Sequence, residues 1–278
     1  MALKSNPPIQ TNAWKKLQQS FEEDKNTTIK NFFDLEKDRV EALSIETDKL
    51  YFDFSKNRFS QKTFDQLIAL ARELDLDDAI GKYFSGDSIN QTEERAVLHT
   101  ALRAGKETDV KVDNQPIYPL VKKVSEQIRA FSDEIYNGKR TGYSGKKITD
   151  VVNIGIGGSD LGPNMVVESL HYFRHQIDSH FISNVDGDQI AGTLETLNPE
   201  TTLFIVVSKS FTTQETLMNA NTARSWFLES ASLADLKDHF VAVSANEEKV
   251  KEFGINTFFP MWDWVGGRFS LWSAAGLS

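Results

Sequence analysis

The chain has 278 residues, of which 40% are hydrophobic, and a formal net charge of −9. This length and composition are typical of a folded protein with a substantial core and about two domains. The negative charge argues against nucleic acid as a partner, because a polyanion needs a basic surface. It does not exclude a small phosphorylated metabolite, since one or two cations and a few amide donors suffice to bind one.

The sequence contains no cysteine, which excludes disulfides and thiolate metal or redox sites. This agrees with a reducing cytoplasm, where we expect the protein. The opening residues lack an apolar signal core, and the longest apolar runs, such as residues 203–207, are too short to cross a bilayer. We therefore expect a soluble, cytoplasmic protein with no membrane partner.

Residues 1–118 are predicted to form a mainly helical region. Apolar residues at helical spacing around Trp14 and Phe64 predict two helices, and alternation over residues 50–54 predicts a short strand between them. A further helix is predicted to begin at Asn90, because Glu93 lies three residues later as in a capping box.

Residues 119–278 are predicted to form an α/β/α sandwich around a five-stranded parallel sheet. An amphipathic helix ends near Gly138, and strands are then predicted at residues 150–154, 180–184, 202–207, 239–243 and 257–259. Strands that are apolar on both faces and separated by helices are typical of a buried parallel sheet. Ligands bind beyond the carboxyl ends of such strands, so the residues after each strand are the candidate site.

A glycine-rich segment, residues 155–163 (GIGGSDLGP), follows the first predicted strand of this sheet. Its glycines allow a ligand to approach the backbone closely, and Ser159 adds a hydroxyl. A dinucleotide fingerprint would need glycine or alanine at position 160 and an acidic residue at position 184. These positions hold Asp160 and Asn184, and this mismatch disfavours a nicotinamide cofactor. The alternative is a tight strand-to-helix turn that binds nothing.

The segment after the most apolar strand, residues 208–216 (SKSFTTQET), has a different composition. Four hydroxyl residues and Lys209 precede a predicted helix, so donors, a positive charge and a helix dipole coincide, as a phosphate monoester requires. The alternative assigns the hydroxyls to helix capping and Lys209 to solvent, but caps need only one or two hydroxyls. Glu215 is expected to complement the helix dipole rather than to act as a base.

A third segment, residues 263–270 (DWVGGRFS), follows the last predicted strand. Gly266 and Gly267 again permit close approach, and the planar cation of Arg268 can stabilise a developing oxyanion. The alternative is that Arg268 forms a structural ion pair, with Asp263 as a candidate partner.

The histidines give weaker signals. His171 and His175 have the spacing of a helical metal pair, but no third ligand is evident, and we expect no metal site. His99 lies in an apolar segment, where a hydrogen-bonded structural histidine is expected. No Ser-His-Asp or paired-carboxylate arrangement follows from the spacing.

Taken together, the three segments resemble those of the glucose-6-phosphate isomerase family. Residues 53–58 (DFSKNR) and 95–99 (RAVLH) also resemble segments of that family, and the five motifs occur in the family's order over most of the chain. The resemblance implies a fold with two sugar-isomerase (SIS) sandwiches. This chain would be the N-terminal half, containing the first of them.

The resemblance also implies the roles of individual residues. Gly158 and Ser159 would bind substrate, and Arg268 would lie near an enediolate. The substrate phosphate would be held by Ser208, Lys209, Ser210, Thr212 and Thr213, and Phe211 of the same segment would also be a substrate-binding residue. Ser210 stands where the family usually has threonine, which leaves the hydroxyl in place. The implied reaction interconverts glucose 6-phosphate and fructose 6-phosphate in glycolysis and gluconeogenesis, through a cis-enediol and without metal or organic cofactor.

The family's glutamate base and its ring-opening histidine and lysine lie in a second half that these residues do not include. The sequence ends at Ser278, ten positions after Arg268, so we expect an incomplete chain that is inactive alone. The resemblance implies a homodimer for the full-length protein. The alternative is a stand-alone SIS-type regulatory module that binds a sugar phosphate without chemistry, but such a module has little use for Arg268.

Overall fold

The computed structural model describes residue 3 and residues 6–105, 108–174 and 176–278. The chain divides into two compact units, Met1–Lys82 and Tyr83–Ser278. The predicted boundary between residues 118 and 119 lies inside the second unit, because Ala96 and Leu98 share a buried cluster with Trp264. That boundary stays a prediction about where the sandwich begins along the sequence.

Up to residue 85 the structure is mainly helical. Its elements are α1 (Asn12–Asp24), α2 (Ile29–Leu35), α3 (Arg39–Ala42), β1 (Ser44–Glu46), β2 (Tyr51–Asp53), α4 (Gln61–Glu73) and α5 (Leu76–Ser85). The helices predicted around Trp14 and Phe64 are confirmed as α1 and α4, and the predicted strand as β2, which pairs with β1 in an antiparallel hairpin. Thr11 begins α1 by accepting a hydrogen bond from the Trp14 amide at 3.1 Å.

A buried arginine organises the segment that contains the DFSKNR motif. Arg39 is 1% exposed, and its guanidinium donates hydrogen bonds to the carbonyl oxygens of Ser55 at 2.7 Å, Asn57 at 2.7 Å and Phe59 at 2.9 Å. Its charge is also paired with Glu36. Because one fixed fork of donors holds three backbone carbonyls, this motif has a structural explanation within the first unit.

The helix predicted to begin at Asn90 is wrong. Asn90 and Arg95 form an isolated antiparallel bridge, and the Asn90 side-chain amide donates to the Glu93 carboxylate at 2.6 Å. Glu94 has a left-handed φ of +52°, which a helix does not allow. The apparent capping box therefore closes a turn, and only a short 3₁₀ helix, His99–Arg103, follows.

The remaining elements belong to the second unit. They are β3 (Lys111–Val112), β4 (Gln115–Pro116), α6 (Ile117–Tyr136), β5 (Asp150–Ile154), α7 (Leu161–Ser169), β6 (Asp178–Ile182), α8 (Gly187–Glu195), β7 (Thr202–Val207), α9 (Gln214–Leu228), α10 (Leu236–His239), β8 (Phe240–Ser244), α11 (Glu247–Phe253), β9 (Thr257–Pro260) and α12 (Ala274–Leu277). Among the described residues, no helix is long and apolar enough to cross a membrane.

The predicted α/β/α sandwich with a five-stranded parallel sheet is confirmed. The strand order is β6-β5-β7-β8-β9, and every neighbouring pair is parallel. Alternate residues of the strands enter different cores: Phe204 and Val206 of β7 pack with α8 and α9, whereas Leu203 and Ile205 pack with α6. All six residues of β7 are buried, which explains why its sequence is apolar throughout.

The strand order places a topological switch point between β5 and β7. The chain leaves β5 toward β6 at one edge of the sheet and then crosses to β7 on the opposite side of β5. In doubly wound sheets the crevice outside the carboxyl ends of the strands at this point is the usual ligand site. The segments that follow β5 and β7 are two of the three candidate segments from the sequence.

Candidate functional site

The glycine loop, residues 155–163, is held against the third candidate segment by backbone contact. A Cβ atom placed on Gly158 would lie 2.1 Å from the carbonyl oxygen of Gly267, so only glycine fits there. The Ser270 hydroxyl lies 3.0 Å from the Gly158 carbonyl oxygen, and Asn153 donates to the Ser159 carbonyl oxygen at 3.0 Å. The structure thus brings together segments more than 100 residues apart in sequence.

Asp160 explains why this loop differs from a dinucleotide-binding turn. Its side chain is 4% exposed, and its Oδ1 is buried without a hydrogen-bond partner among the described residues. Burial raises the pKa of this carboxyl above its ordinary value, and the neighbouring polar groups of Ser183 and Asn164 oppose that shift. The acidic side chain at this position is thus buried inside the loop rather than presented to a ligand.

The hydroxyl loop, residues 208–213, leads from β7 into α9. The Ser208 hydroxyl donates to the Thr213 hydroxyl at 3.2 Å, and the hydroxyl oxygens of Ser210 and Thr212 are 2.6 Å apart. Ser210 and Thr212 are exposed, whereas Ser208 is 2% exposed. Thr213 occupies the N-cap position of α9, so the four hydroxyls lie at the positive end of a 15-residue helix.

Lys209 connects the hydroxyl loop to the third segment. Its ammonium group lies 3.5 Å from the carbonyl oxygens of both Asp263 and Val265. These long contacts leave donor capacity on the ammonium, which has three hydrogens. The lysine therefore places a positive charge between the two loops.

The arginine loop, residues 263–270, carries Arg268 in an exposed position. Among the ion pairs of the described residues, the partner of Asp263 is Arg95, at 3.6 Å, and not Arg268. Among the described residues, Arg268 therefore does not form the ion pair with Asp263 that was considered as an alternative. Its neighbour Gly267 contacts Gly158, so the guanidinium extends from the loop that adjoins the substrate-binding candidates.

His99 fixes the arginine loop. Its Nε2 accepts a hydrogen bond from the Gly266 amide at 2.9 Å, and its Nδ1 lies 3.3 Å from the Tyr83 hydroxyl. The Phe269 ring packs beside the imidazole with centroids 4.5 Å apart. Burial lowers the pKa of His99 below its ordinary value, which favours the neutral form that can accept from Gly266.

The remaining charged candidates lie outside this arrangement. Glu215 is exposed in the first turn of α9. The Nδ1 of His171 lies 3.0 Å from the Glu168 carbonyl oxygen, and His175 lies outside the described residues. In the part of the chain that the structure describes, no group of three metal-ligating side chains occurs.

Comparison with known proteins decides the family. The sequence profile of the phosphoglucose isomerase family matches residues 53–278, which include all three loops. The chain belongs to the phosphoglucose isomerase family. It is 54% identical to a glucose-6-phosphate isomerase of Christiangramia forsetii over 99% of the chain, which corresponds to 51% of that relative.

A solved phosphoglucose isomerase structure shows the same fold. The crystal structure of a glucose-6-phosphate isomerase from Chlamydia trachomatis superposes with a TM-score of 0.82 and 26% sequence identity, over 98% of this chain and 52% of that chain. The chain therefore spans about half the length of the curated relative and of the solved structure that it matches.

The structure adds residues to the site that the sequence patterns do not assign to it. His99 accepts a hydrogen bond from the Gly266 amide of the arginine loop. The Ser270 hydroxyl lies 3.0 Å from the Gly158 carbonyl oxygen of the glycine loop. Asn153 fixes the glycine loop from within β5, through its hydrogen bond to the Ser159 carbonyl oxygen. The available signal is a buried amide between the apolar residues Val152 and Ile154. A histidine in an apolar segment indicates a structural role, but nothing in its sequence neighbours indicates a bond to Gly266.

Proposed function

We propose that this chain is the N-terminal half of a glucose-6-phosphate isomerase and supplies the phosphate-binding side of its active site. The reaction is the interconversion of glucose 6-phosphate and fructose 6-phosphate in glycolysis and gluconeogenesis. The observation that carries this proposal is the placement of Ser208, Ser210, Thr212 and Thr213 at the N-terminus of α9, beside the switch point of the sheet. The family membership and the 54% identical relative support it.

The substrate phosphate binds in the hydroxyl loop. Hydroxyl donors, the positive end of α9 and the Lys209 ammonium together match the two negative charges and the acceptor oxygens of a phosphate monoester. Phosphate binding anchors one end of the sugar phosphate, so that binding energy orients the reacting carbons at the other end. Gly158 and Ser159 contact the substrate from the glycine loop.

Arg268 stabilises the negative charge that develops on the enediolate oxygens. A planar guanidinium presents several fixed donors to an oxyanion, and this chain places it on the loop that contacts Gly158. The base that moves the proton between C2 and C1 belongs to the remainder of the protein. The full-length enzyme is a cytoplasmic homodimer that acts on sugar phosphates and not on nucleic acid.

Isothermal titration calorimetry tests the phosphate assignment on residues 1–278. We expect weak binding of fructose 6-phosphate, displacement by inorganic phosphate, and no binding of unphosphorylated fructose. The double variant Ser210→Ala, Thr212→Ala should bind at least about 10-fold more weakly, because hydrogen bonds to a charged group contribute about 1.5–3 kcal/mol each. Thr222→Ala, which removes an exposed hydroxyl further along α9, is the matched control. Unchanged affinity in the double variant would refute the assignment.

A further inference from the structure

Phe211 combines a left-handed backbone with a buried aromatic ring. Its φ is +52°, and its side chain is 3% exposed. For a bulky residue this backbone region is unfavourable, because the Cβ atom crowds the following carbonyl group, whereas glycine adopts it freely. A strained residue of this kind persists only where the surrounding structure determines its conformation.

Comparison within the chain shows that Phe211 is exceptional. The other described non-glycine residues with positive φ all carry polar side chains, and none is buried: Asp75, Glu94, Asp113 and Asn114. Of these five described residues, Phe211 is thus the one that combines a positive φ with a buried apolar side chain.

The ring of Phe211 belongs to the core between the sheet and helices α8 and α9. It meets the ring of Phe253, the last residue of α11, edge to face, with centroids 5.9 Å apart and planes at 81°. Such aromatic contacts add to the free energy of burying the ring. The core therefore holds Phe211 although its backbone conformation is unfavourable.

The residues before Phe211 are fixed to strand β8 by hydrogen bonds. The Ser208 amide donates to the Val243 carbonyl oxygen at 3.0 Å. The Lys209 carbonyl oxygen accepts from the Ala245 amide at 2.9 Å and from the Ser244 hydroxyl at 3.0 Å. Thr213 and the residues after it are fixed by α9.

The short stretch between these two fixed ends contains Ser210, Phe211 and Thr212. Ser210 and Thr212 are exposed, and their hydroxyl oxygens lie 2.6 Å apart on either side of the buried residue. If the backbone of Phe211 relaxed to a right-handed conformation, the chain would change direction at this point and the two hydroxyls would separate.

We infer that Phe211 is a positioning residue, whose buried ring holds the left-handed turn that brings the hydroxyls of Ser210 and Thr212 together for one phosphate group. This inference rests on the proposed function, because it assigns the same loop to phosphate. It differs from the sequence-based expectation that Phe211 itself binds substrate, because here the ring positions Ser210 and Thr212 and these two residues bind the phosphate. Preorganised donors bind more tightly because their ordering does not have to accompany binding.

Substitutions at Phe211 test the inference in the 278-residue chain. Phe211→Gly permits the left-handed turn but removes the ring, and Phe211→Leu keeps an apolar side chain of smaller size. Phe227→Leu is the matched control, because Phe227 is 0% exposed in the same core at the far end of α9. The probes are inorganic phosphate and fructose 6-phosphate, titrated calorimetrically well below the melting temperature of each variant.

We expect Phe211→Gly to weaken the binding of both probes by about 10-fold or more, with Phe211→Leu intermediate. Phe227→Leu should lower the melting temperature without changing either dissociation constant. Hydrogen exchange of the Phe211 amide, which donates to the Ser208 carbonyl oxygen at 3.1 Å, should accelerate in Phe211→Leu and not in Phe227→Leu. This measurement requires only that the leucine variants fold.

Two outcomes overturn the inference separately from the proposed function. One is wild-type affinity in both Phe211 variants, which would show that the backbone hydrogen bonds alone set the turn. The other is an equal loss of affinity in Phe227→Leu, which would show a general effect of destabilisation. Absence of binding by the folded wild-type chain would instead overturn the proposed function, and this inference with it.

Discussion

Gly158 and Gly267 are in direct backbone contact, although 109 positions separate them: a Cβ atom on Gly158 would lie 2.1 Å from the Gly267 carbonyl oxygen. Gly158→Ala should therefore separate the glycine loop from the arginine loop. We expect a loss of roughly 1–3 kcal/mol in the free energy of unfolding, as for overpacked cores, and loss of sugar-phosphate binding. Urea denaturation and calorimetry measure the two effects.

Gly192→Ala is the control for that substitution. Gly192 lies within α8, and a Cβ atom added there would have no neighbouring atom within 4 Å. Alanine at this position should leave binding unchanged and stabilise the chain by up to about 1 kcal/mol, because it reduces the entropy of the unfolded state. Equal behaviour of the two variants would contradict the proposed contact.

Stability should fall on acidification because of His239. Its imidazole is 0% exposed, its Nδ1 donates to the Thr202 carbonyl oxygen at 2.6 Å, and its Nε2 accepts from the Tyr143 amide at 2.9 Å. The neutral imidazole thus donates one hydrogen bond through Nδ1 and accepts one through Nε2. Burial lowers the pKa of His239 in the folded state below its ordinary value, while hydrogen bonding to Thr202 opposes this shift.

The folded state then binds fewer protons than the unfolded state below about pH 6.5. The contribution of His239 to stability is complete above that pH and decreases as the pH falls toward the folded pKa, by at most about 1.4 kcal/mol per pH unit. The melting temperature should fall as the pH is lowered from 8 to 5, and the variant His239→Gln should show a smaller fall. Differential scanning calorimetry of both proteins over this pH range measures the difference. His99 contributes with the same sign.

His99→Leu in the full-length protein should lower turnover more than it changes KM. The variant leaves the Gly266 amide without its acceptor and frees the backbone beside Arg268. His99→Gln should restore part of the activity, because the glutamine oxygen can accept from the same amide. Steady-state kinetics of the two variants check this, and equal loss in both would indicate a role for the ring other than as acceptor.

Arg268→Lys in the full-length protein should reduce turnover by about 10²-fold with a smaller effect on ground-state binding. A lysine keeps the charge but not the planar pair of donors that an enediolate requires. Arg129→Lys, at an exposed position of α6, is the control. A collapse of substrate affinity with unchanged turnover would assign Arg268 to binding.

Residues 1–278 alone should show essentially no isomerase turnover. Proton transfer needs a base within about 3 Å of the transferred proton, and general acid–base catalysis contributes about 10²–10⁴ in rate. A coupled assay on the purified chain, with a control that excludes host enzyme, measures this. Turnover near that of a complete isomerase would place a base within these residues, and Glu215→Gln would then be the first variant to make.

The sheet and the loops that follow its strands can be predicted from the sequence, because the residues that indicate them are consecutive in the chain. The apolar run of β7 and the hydroxyls after it are consecutive, and the predicted strand boundaries lie within two residues of those observed. The turn at Asn90 is mistaken for a helix start because a capping box and a closed turn use the same residue types at the same spacing. The left-handed backbone of Glu94 and the bridge between Asn90 and Arg95 distinguish them.

The contacts that join the loops could not be predicted, because they depend on pairs far apart in the chain. Nothing near His99 indicates a bond to Gly266, and nothing near Lys209 indicates that its ammonium lies between two carbonyl oxygens of the arginine loop. The resemblance places Phe211 among the substrate-binding residues by its position in the loop. Its left-handed φ and buried ring are properties of the folded core.

The distribution of the three loops along the chain affects when the site can form during synthesis. The glycine loop and the hydroxyl loop emerge from the ribosome well before the arginine loop, which closes against Gly158 only near the end of these 278 residues. Until then the glycine loop lacks the backbone that covers it. A nascent chain arrested before residue 263 should therefore contain most of the parallel sheet and the hydroxyl loop, but not the backbone that closes the site. We expect a sugar phosphate to stabilise such an early folding intermediate less than it stabilises the finished chain.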